Sequence, residues 1–148
     1  MLYPTAGSRI FIADAPTETP GTVPASGWVE IGEAEAIGML GVAWDIVDAT
    51  HLESPGGAEE LMKGLVRRPP VQIIFGQDPG DVGQAILWQA SRAREHYPVR
   101  LVFPGGARWR AWFGLVVGLS EVFDTANSIM KLQADILPSS QTIRSEDA

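Results

Sequence analysis

The sequence predicts an α+β fold that is mostly β, an antiparallel β-sandwich or partly rolled barrel flanked by one helix. Two observations carry this prediction. One stretch shows helical spacing of apolar residues, and most stretches before and after it alternate apolar and polar residues as strands do. The 148 residues, 45% of them hydrophobic, suit a folded core, so we expect a single domain over 1–148.

The helix is predicted from about 79 to 95. Asp78 and Pro79 fit a helix start, because an aspartate caps free backbone N–H groups and a proline needs no N–H partner in the first turn. Asp81 with Gln84 also fits a capping box, which would start the helix slightly later. The predicted buried stripe repeats at helical spacing and consists of Val82, Ile86, Ala90, Ala93 and Tyr97.

Strand patterns fill much of the remaining chain. Pro104-Gly105-Gly106 predicts a hairpin turn between two of them. The polar stretch 138–148 is predicted to be a flexible C-terminal tail. The predicted strands cover 8–13, 28–40 with a break at 32–35, 42–47, 71–75, 99–103, 108–119 and 128–137.

The stretch from Thr50 to Pro70 is predicted to be a long loop. A connection of this length is uncommon in a compact domain and usually has a function. It carries acids followed by bases, together with several apolar residues. Glu59 to Arg67 also fits a strand, and the sequence leaves both possibilities open.

The sequence contains no recognisable pattern for catalysis or cofactor binding. It has no cysteine, and neither His51 nor His96 has the spacing of a metal motif. Glu33 and Glu35 share a strand face but lack a partner base. We therefore expect no enzyme, no metal and no cofactor. Five tryptophans would suit a carbohydrate platform, yet their places in alternating strands favour core or interface roles.

The chain is acidic overall, and its acidic and basic residues are concentrated in different segments. The net charge is −7, with −9 over residues 1–62, +5 over 63–110 and −3 over 111–148. This balance disfavours nonspecific DNA binding through a basic surface. The blocks are either solvated faces or complementary faces of neighbouring copies. No apolar run has membrane-spanning length and the start lacks signal-peptide features, so we expect no membrane partner.

The order of these patterns resembles the tail tube protein of long-tailed, siphovirus-type phages, a family related to the inner tubes of contractile injection systems. The residues that carry the resemblance are the strand Arg9–Ala13, the segment Gly27–Gly32, a returning strand that ends in Asp48-Ala49-Thr50, and a loop with Pro55-Gly56. The helix start, a hairpin over 99–117 and a last strand complete the order.

The resemblance implies a structural protein of the virion. Six copies would form a ring with a continuous inner barrel, and rings would stack into a hollow tube that conducts genomic DNA into the host without binding it specifically. Assembly would take place in the host cytoplasm, with terminator, tape measure and baseplate proteins as partners. Two alternatives stay open: another virion component such as a tail terminator or baseplate protein, and a small carbohydrate-binding β module.

Three sets of residues have roles in this hypothesis. Trp88 lies outside the predicted buried stripe of the helix, one turn from Arg92. We therefore predict that both residues lie at the interface between neighbouring copies in a ring. Acids of the early strands are predicted to face the lumen, namely Glu30, Glu33, Glu35, Asp45 and Asp48. The long loop is predicted to stack one ring on the next through Thr50, His51, Leu52, Glu53, Glu59, Glu60, Leu61, Met62, Lys63, Leu65, Arg67 and Arg68.

Overall fold

A computed structural model describes residues 1–17, 22–51 and 54–147 of the chain. These residues form ten strands, one α-helix and short 3-10 turns at Pro55–Gly57 and Ser145–Asp147. The elements are β1 Arg9–Ala13, β2 Trp28–Ile31, β3 Ala34–Ile37, β4 Ala43–Asp48, β5 Leu61–Arg67, β6 Val71–Gly76, α1 Val82–Arg92, β7 Tyr97–Val102, β8 Trp109–Val122, β9 Lys131–Pro138 and β10 Ile143–Arg144.

The chain divides into two compact units. The larger unit comprises residues 1–39 and 70–148 and contains a sheet and the helix, whereas the smaller comprises residues 40–69 and contains the antiparallel pair β4–β5. Every buried apolar side chain of the described residues belongs to the larger unit. The single domain predicted over 1–148 stays a prediction.

Eight of the described strands form one antiparallel sheet that is not closed into a barrel. Its order is β2-β1-β7-β8-β9-β6-β3, and β10 also pairs with β8. The predicted fold class, mostly β with one helix, is confirmed. The sheet has two parts because β8 changes partner along its length, pairing with β7 over 109–114 and with β9 over 114–122. We call β2-β1-β7-β8 the first half-sheet and β8-β9-β6-β3 the second half-sheet.

The helix is shorter at both ends than the predicted 79–95. It begins after Asp81, whose side chain accepts a hydrogen bond from the Gln84 backbone N–H at 2.9 Å, so the capping box marks the start. It ends at Arg92, and Tyr97 already belongs to β7. This helix, the one α-helix of the described residues, is too short to span a membrane.

The buried face of α1 also differs from the predicted stripe. Ile86 and Ala90 are buried as expected, but Val82 is 65% exposed, and Leu87 is buried in its place. Gly83 explains the shift, since a Cβ on it would lie 2.2 Å from the Glu30 carbonyl oxygen. The first turn therefore lies backbone against backbone on β2, which turns Val82 away from the core.

Three other segments correct the expectations from sequence. The break in alternation predicted at 32–35 interrupts the strand predicted over 28–40 completely, because Glu33 has a left-handed φ of 63°, and two strands, β2 and β3, result. The loop predicted over 50–70 is shorter, because β5 occupies Leu61–Arg67, the strand that the sequence left open. The segment 138–148, predicted to be a flexible tail, contains β10, which pairs with β8.

Candidate functional site: assembly surfaces

The smaller unit, residues 40–69, is a hairpin that we call the arm. An isolated two-stranded hairpin is at best marginally stable in water, and the arm contributes no buried apolar side chain among the described residues. Its large apolar side chains are instead exposed, as is typical of surfaces that bind a partner. They are Val42, Trp44, Ile46, Val47, Leu61, Met62 and Leu65, with exposed fractions from 46% to 73%.

Cross-strand charges hold the two arm strands together. Arg67 donates two hydrogen bonds to Asp45, at 2.8 Å from Nε to Oδ1 and 3.0 Å from Nη2 to Oδ2. The hydrogen bond to Asp45 raises the pKa of the Arg67 guanidinium. Lys63 Nζ lies 5.1 Å from the centre of the Trp44 ring, a cation–π contact between the same two strands. These contacts fix the hairpin without a core of its own.

The end of the arm brings several predicted stacking residues together. Thr50 donates its N–H to Asp48 Oδ1 at 2.9 Å, and its hydroxyl accepts the Glu60 N–H at 2.8 Å. The hydrogen bonds from Thr50 lower the pKa of Asp48. His51 Nε2 lies 3.3 Å from Glu60 Oε2. Glu59 is exposed and Arg68 half-buried, while Leu52 and Glu53 lie outside the described residues.

The second half-sheet has two open edges within the described residues. One is the outer edge of β3, the last strand in the sheet order. The other is the stretch 115–122 of β8, because the pairing with β7 stops at Gly114. Open strand edges present unpaired N–H and C=O groups that template pairing with another chain.

One face of the second half-sheet is apolar and buried, and the other is mostly polar. Phe75, Leu132 and Ile136 are fully buried on the first face. The opposite face follows from the alternation of side chains along β6, β8 and β9. It carries the polar Gln72, Ser120, Lys131, Gln133 and Asp135 together with the apolar Ile74, Val122 and Leu137, all exposed or half-buried. Glu35 lies at the register shift of β3 and reaches the same face. Lys131 Nζ and Glu35 Oε2 form an ion pair at 2.8 Å across this face.

The acids predicted to face a lumen do not share one strand face. Glu30 belongs to β2 in the first half-sheet, where a carboxylate oxygen lies 3.9 Å from Arg9 Nη1. Glu33 lies in the turn between β2 and β3, and Glu35 lies on β3. Asp45 and Asp48 belong to the arm.

Trp88 and Arg92, predicted at a ring interface, contact each other on α1. The Arg92 guanidinium lies 5.9 Å from the centre of the Trp88 ring. With Gln77, Asp78, Pro79, Gln84, Ala85 and Glu121 they line a groove of about 410 Å³. Trp88 is half-buried and Arg92 exposed. The pair therefore presents an aromatic and cationic surface beside the helix.

An apolar surface at the connection between β8 and β9 was not predicted from the sequence. The strand predicted over 128–137 includes Met130. In the structure β9 begins three residues later than predicted, at Lys131, and Met130 is 56% exposed, with Phe123 at 53% and Ile129 at 71%. The polar run 124–128 was the signal for a longer turn, since Asp, Thr, Asn and Ser favour turns.

The C-terminal segment also makes contacts that the sequence did not reveal. Glu146 lies 3.0 Å from Arg108 and 2.9 Å from Arg110, measured between carboxylate oxygens and guanidinium nitrogens. Ser145 Oγ accepts the Trp109 backbone N–H at 3.1 Å. Together with β10 these contacts fix the segment along the start of β8. The described residues include no group of three or more side chains placed to hold a metal ion.

No family model matches the chain, and no curated protein matches it. Solved structures do match. A chain from the sheath/tube terminator of the extracellular contractile injection system PVC has a TM-score of 0.70 at 13% identity, covering 98% of this chain and 97% of that one. The chain shares its fold with components of tubes and tails.

Two further structures give the same result. A chain from the SPP1 tail tube has a TM-score of 0.65 at 11% identity, covering 93% of this chain and 76% of that one. A chain from the tail of an empty gene transfer agent particle, described with C6 symmetry, has a TM-score of 0.63 at 16% identity, covering 80% and 87%. The resemblance read from the sequence is thereby confirmed as a likeness of fold.

Proposed function

We propose that this chain is a structural, self-assembling tail tube protein. Six copies form a ring, and rings stack into a hollow tube that conducts DNA from the capsid into the host. The tube belongs to a virion, is assembled in the host cytoplasm, and has terminator, tape measure and baseplate proteins as neighbours. The observation that carries the proposal is the second half-sheet, which has two open edges and one mostly polar face.

The two open edges suit a closed ring. Neighbouring strands in the order β3-β6-β9-β8 are antiparallel, so β3 and β8 run in opposite directions. When the β3 edge of one copy meets the 115–122 edge of β8 in the next, the new pair is again antiparallel. Such a contact joins different edges of two copies and generates a ring when the rotation closes. The C6 symmetry described for the gene transfer agent tail supports six copies.

The polar face of the second half-sheet lines the channel in this proposal. Its charged side chains are two acids, Glu35 and Asp135, and one base, Lys131, and its other side chains are neutral amide, hydroxyl and apolar groups. A surface with so little positive charge does not hold phosphates, so DNA slides past it. Of the five acids predicted to face the lumen, the proposal keeps Glu35, because it shares this face with Lys131.

The arm stacks one ring on the next, and its exposed apolar side chains become buried there. Trp88 and Arg92 contribute a contact on the helix side of the ring, since a half-buried aromatic ring with a stacked cation is typical of interface anchors. A protein with such open edges and exposed apolar surfaces gains additional stability from assembly.

Electron microscopy of concentrated protein tests the proposal, with Val117→Lys as the diagnostic variant. Val117 lies on the open edge of β8 and is 57% exposed, so a lysine there leaves the subunit folded but blocks strand pairing between copies. Val82→Lys, at a helix position that is 65% exposed, is the matched control.

We expect hollow tubes from the unchanged protein and from Val82→Lys, and monomers from Val117→Lys. Normal tubes from Val117→Lys would rule out closure through this edge. Single rings that never stack would instead favour a tail terminator, the kind of assembly named for one of the similar structures. A monomer that binds glycans would favour the carbohydrate module.

A further inference from the structure

We infer that the turn between β8 and β9 is the docking surface for the arm of a copy in the adjacent ring. We call this turn, residues 123–130, the tip. The inference rests on the proposed function and adds to it the surface that receives the arm. The apolar side chains of the tip are Phe123, Ile129 and Met130, each more than half exposed.

The tip and the arm attachment lie at opposite ends of the second half-sheet. Lys131 pairs with both Gly76 and Val122, which places the start of β9 and the ends of β6 and β8 at one end. The Gln77 N–H donates to the Met130 carbonyl oxygen at 2.9 Å and closes this end. At the other end the chain leaves β3 for the arm and returns into β6.

This arrangement suits head-to-tail stacking. The end of the sheet from which the arm departs in one copy meets the tip end of a copy in the next ring. Such a contact joins different surfaces of two copies and does not close, so it adds rings without limit. The arm and the tip therefore belong to one repeated contact.

Both surfaces need an apolar partner. The tip exposes 53% of Phe123 and 71% of Ile129, and three such side chains within eight residues form a patch rather than scattered exposure. On the arm, Leu65 is 72% exposed and Ile46 73%. Burial of one patch against the other removes both from water, which is the main driving force for association.

The charges around the two patches are complementary. The tip carries the acid Asp124 and no base, and Glu121 lies two residues before it on β8. Strand β5 with the residue after it carries the bases Lys63, Arg67 and Arg68, whereas the acids of the arm lie outside 61–69. Arg67 pairs with Asp45 inside the arm, so Lys63 and Arg68 supply the positive charge that suits an acidic partner. Opposite charges at the rim of an apolar contact orient the partners and exclude wrong pairings. This favours an arm of the same protein as the occupant of the tip.

Cross-linking tests the contact, because the chain has no cysteine of its own. Leu65→Cys on the arm and Ile129→Cys on the tip are mixed in equal amounts, assembled into tubes and treated with a short bis-maleimide. We expect covalent dimers in the mixed tubes and at least tenfold fewer in tubes of either variant alone. A mixture of Leu65→Cys with Val82→Cys is the control and should not cross-link.

A second variant tests what the contact does. Phe123→Ser, Ile129→Ser and Met130→Ser combined should leave rings intact and abolish tubes, whereas Val82→Ser should form tubes normally. Tubes that form without arm–tip cross-links, or normal tubes from the triple variant, would overturn the inference and leave the proposed function standing. If the unchanged protein forms neither rings nor tubes, the proposed function fails and the inference fails with it.

Discussion

The Asp81 carboxylate accepts a hydrogen bond from the backbone N–H of Gly32, with 3.1 Å between Oδ2 and N. The same oxygen caps α1 by accepting the Gln84 N–H. Gln84 in turn donates from Nε2 to the carbonyl oxygens of Gly32 at 3.2 Å and of Gly76 at 2.9 Å. One pair of side chains therefore ties the start of the helix to the turn after β2 and to the end of β6.

Replacement of Asp81 by alanine should destabilise the larger unit. The helix cap is lost, and the Gly32 N–H loses its partner, which together cost about 1–2 kcal/mol. For a chain of this size we expect the melting temperature to fall by about 2–4 °C per kcal/mol, measured by circular dichroism. Asp78→Ala is the control, because the hydrogen bond that the Asp78 carboxylate accepts from the Gly80 N–H is exposed. Equal losses in both variants would contradict the role of Asp81.

Replacement of Gly83 by alanine should be more damaging. The added Cβ would lie 2.2 Å from the Glu30 carbonyl oxygen and 2.6 Å from Ile31 Cα, and neither backbone atom can move alone. We expect a loss of about 3 kcal/mol or more, at or beyond the upper end for overpacked sites, in urea unfolding. Gly41→Ala, where the added Cβ meets open space, should change little. A stable Gly83→Ala protein would show that α1 does not pack this closely on β2.

The parts of the fold that local sequence determines were predictable. The Asp81 and Gln84 capping box marks the helix start, and alternation reveals most strands. Contacts between residues that are far apart in the sequence explain the predictions that were wrong. Gly83 brings the helix onto β2 and so moves its buried face, and Glu146 finds Arg108 across 38 positions of the chain.

The candidate surfaces depend even more on topology. The open edge of β8 exists because this strand changes partner at Gly114, which no local pattern records. The stretch 50–70, most of which belongs to the arm, was recognised as unusual from its length and mixed charge. The sequence left open whether Glu59 to Arg67 forms a loop or a strand, and the structure has β5 there. The tip was missed because Met130 continues the apolar alternation of β9, although the fold leaves it and Ile129 exposed.

The Glu146 carboxyl should titrate below the ordinary value of 4.5. A hydrogen bond from its own backbone N–H lowers its pKa most, burial opposes this, and Arg108 and Arg110 lower the pKa further. Because the folded pKa is depressed, the stabilisation is complete above pH 4.5 and is lost as the pH falls through the folded value. Carboxyl NMR shifts of Glu146 should show a midpoint below 4.5, and Arg108→Gln with Arg110→Gln should raise it. A midpoint at or above 4.5 would mean that the C-terminal segment is not held in this way.

Removal of the arm should separate folding from assembly. Gly38 donates its N–H to the Gln72 carbonyl oxygen at 2.9 Å, so a short Gly-Ser turn in place of residues 40–69 can connect β3 to β6. We expect the variant to keep its circular dichroism spectrum and cooperative unfolding, because the apolar side chains that are buried in the described part of the chain all belong to the larger unit. It should form no tubes. If the variant is unfolded, the arm is needed for the folded core. If the variant forms normal tubes, the arm does not stack the rings.

The central claim is that the second half-sheet closes into a ring through its two edges, and strand-resolved cryo-electron microscopy of assembled tubes tests it most directly. The account predicts six copies per ring, β3 of each hydrogen-bonded antiparallel to residues 115–122 of β8 in its neighbour, and Gln72, Gln133 and Asp135 facing the channel. A tube in which the 115–122 edge contacts no neighbouring strand, or in which this polar face points outward, would contradict it.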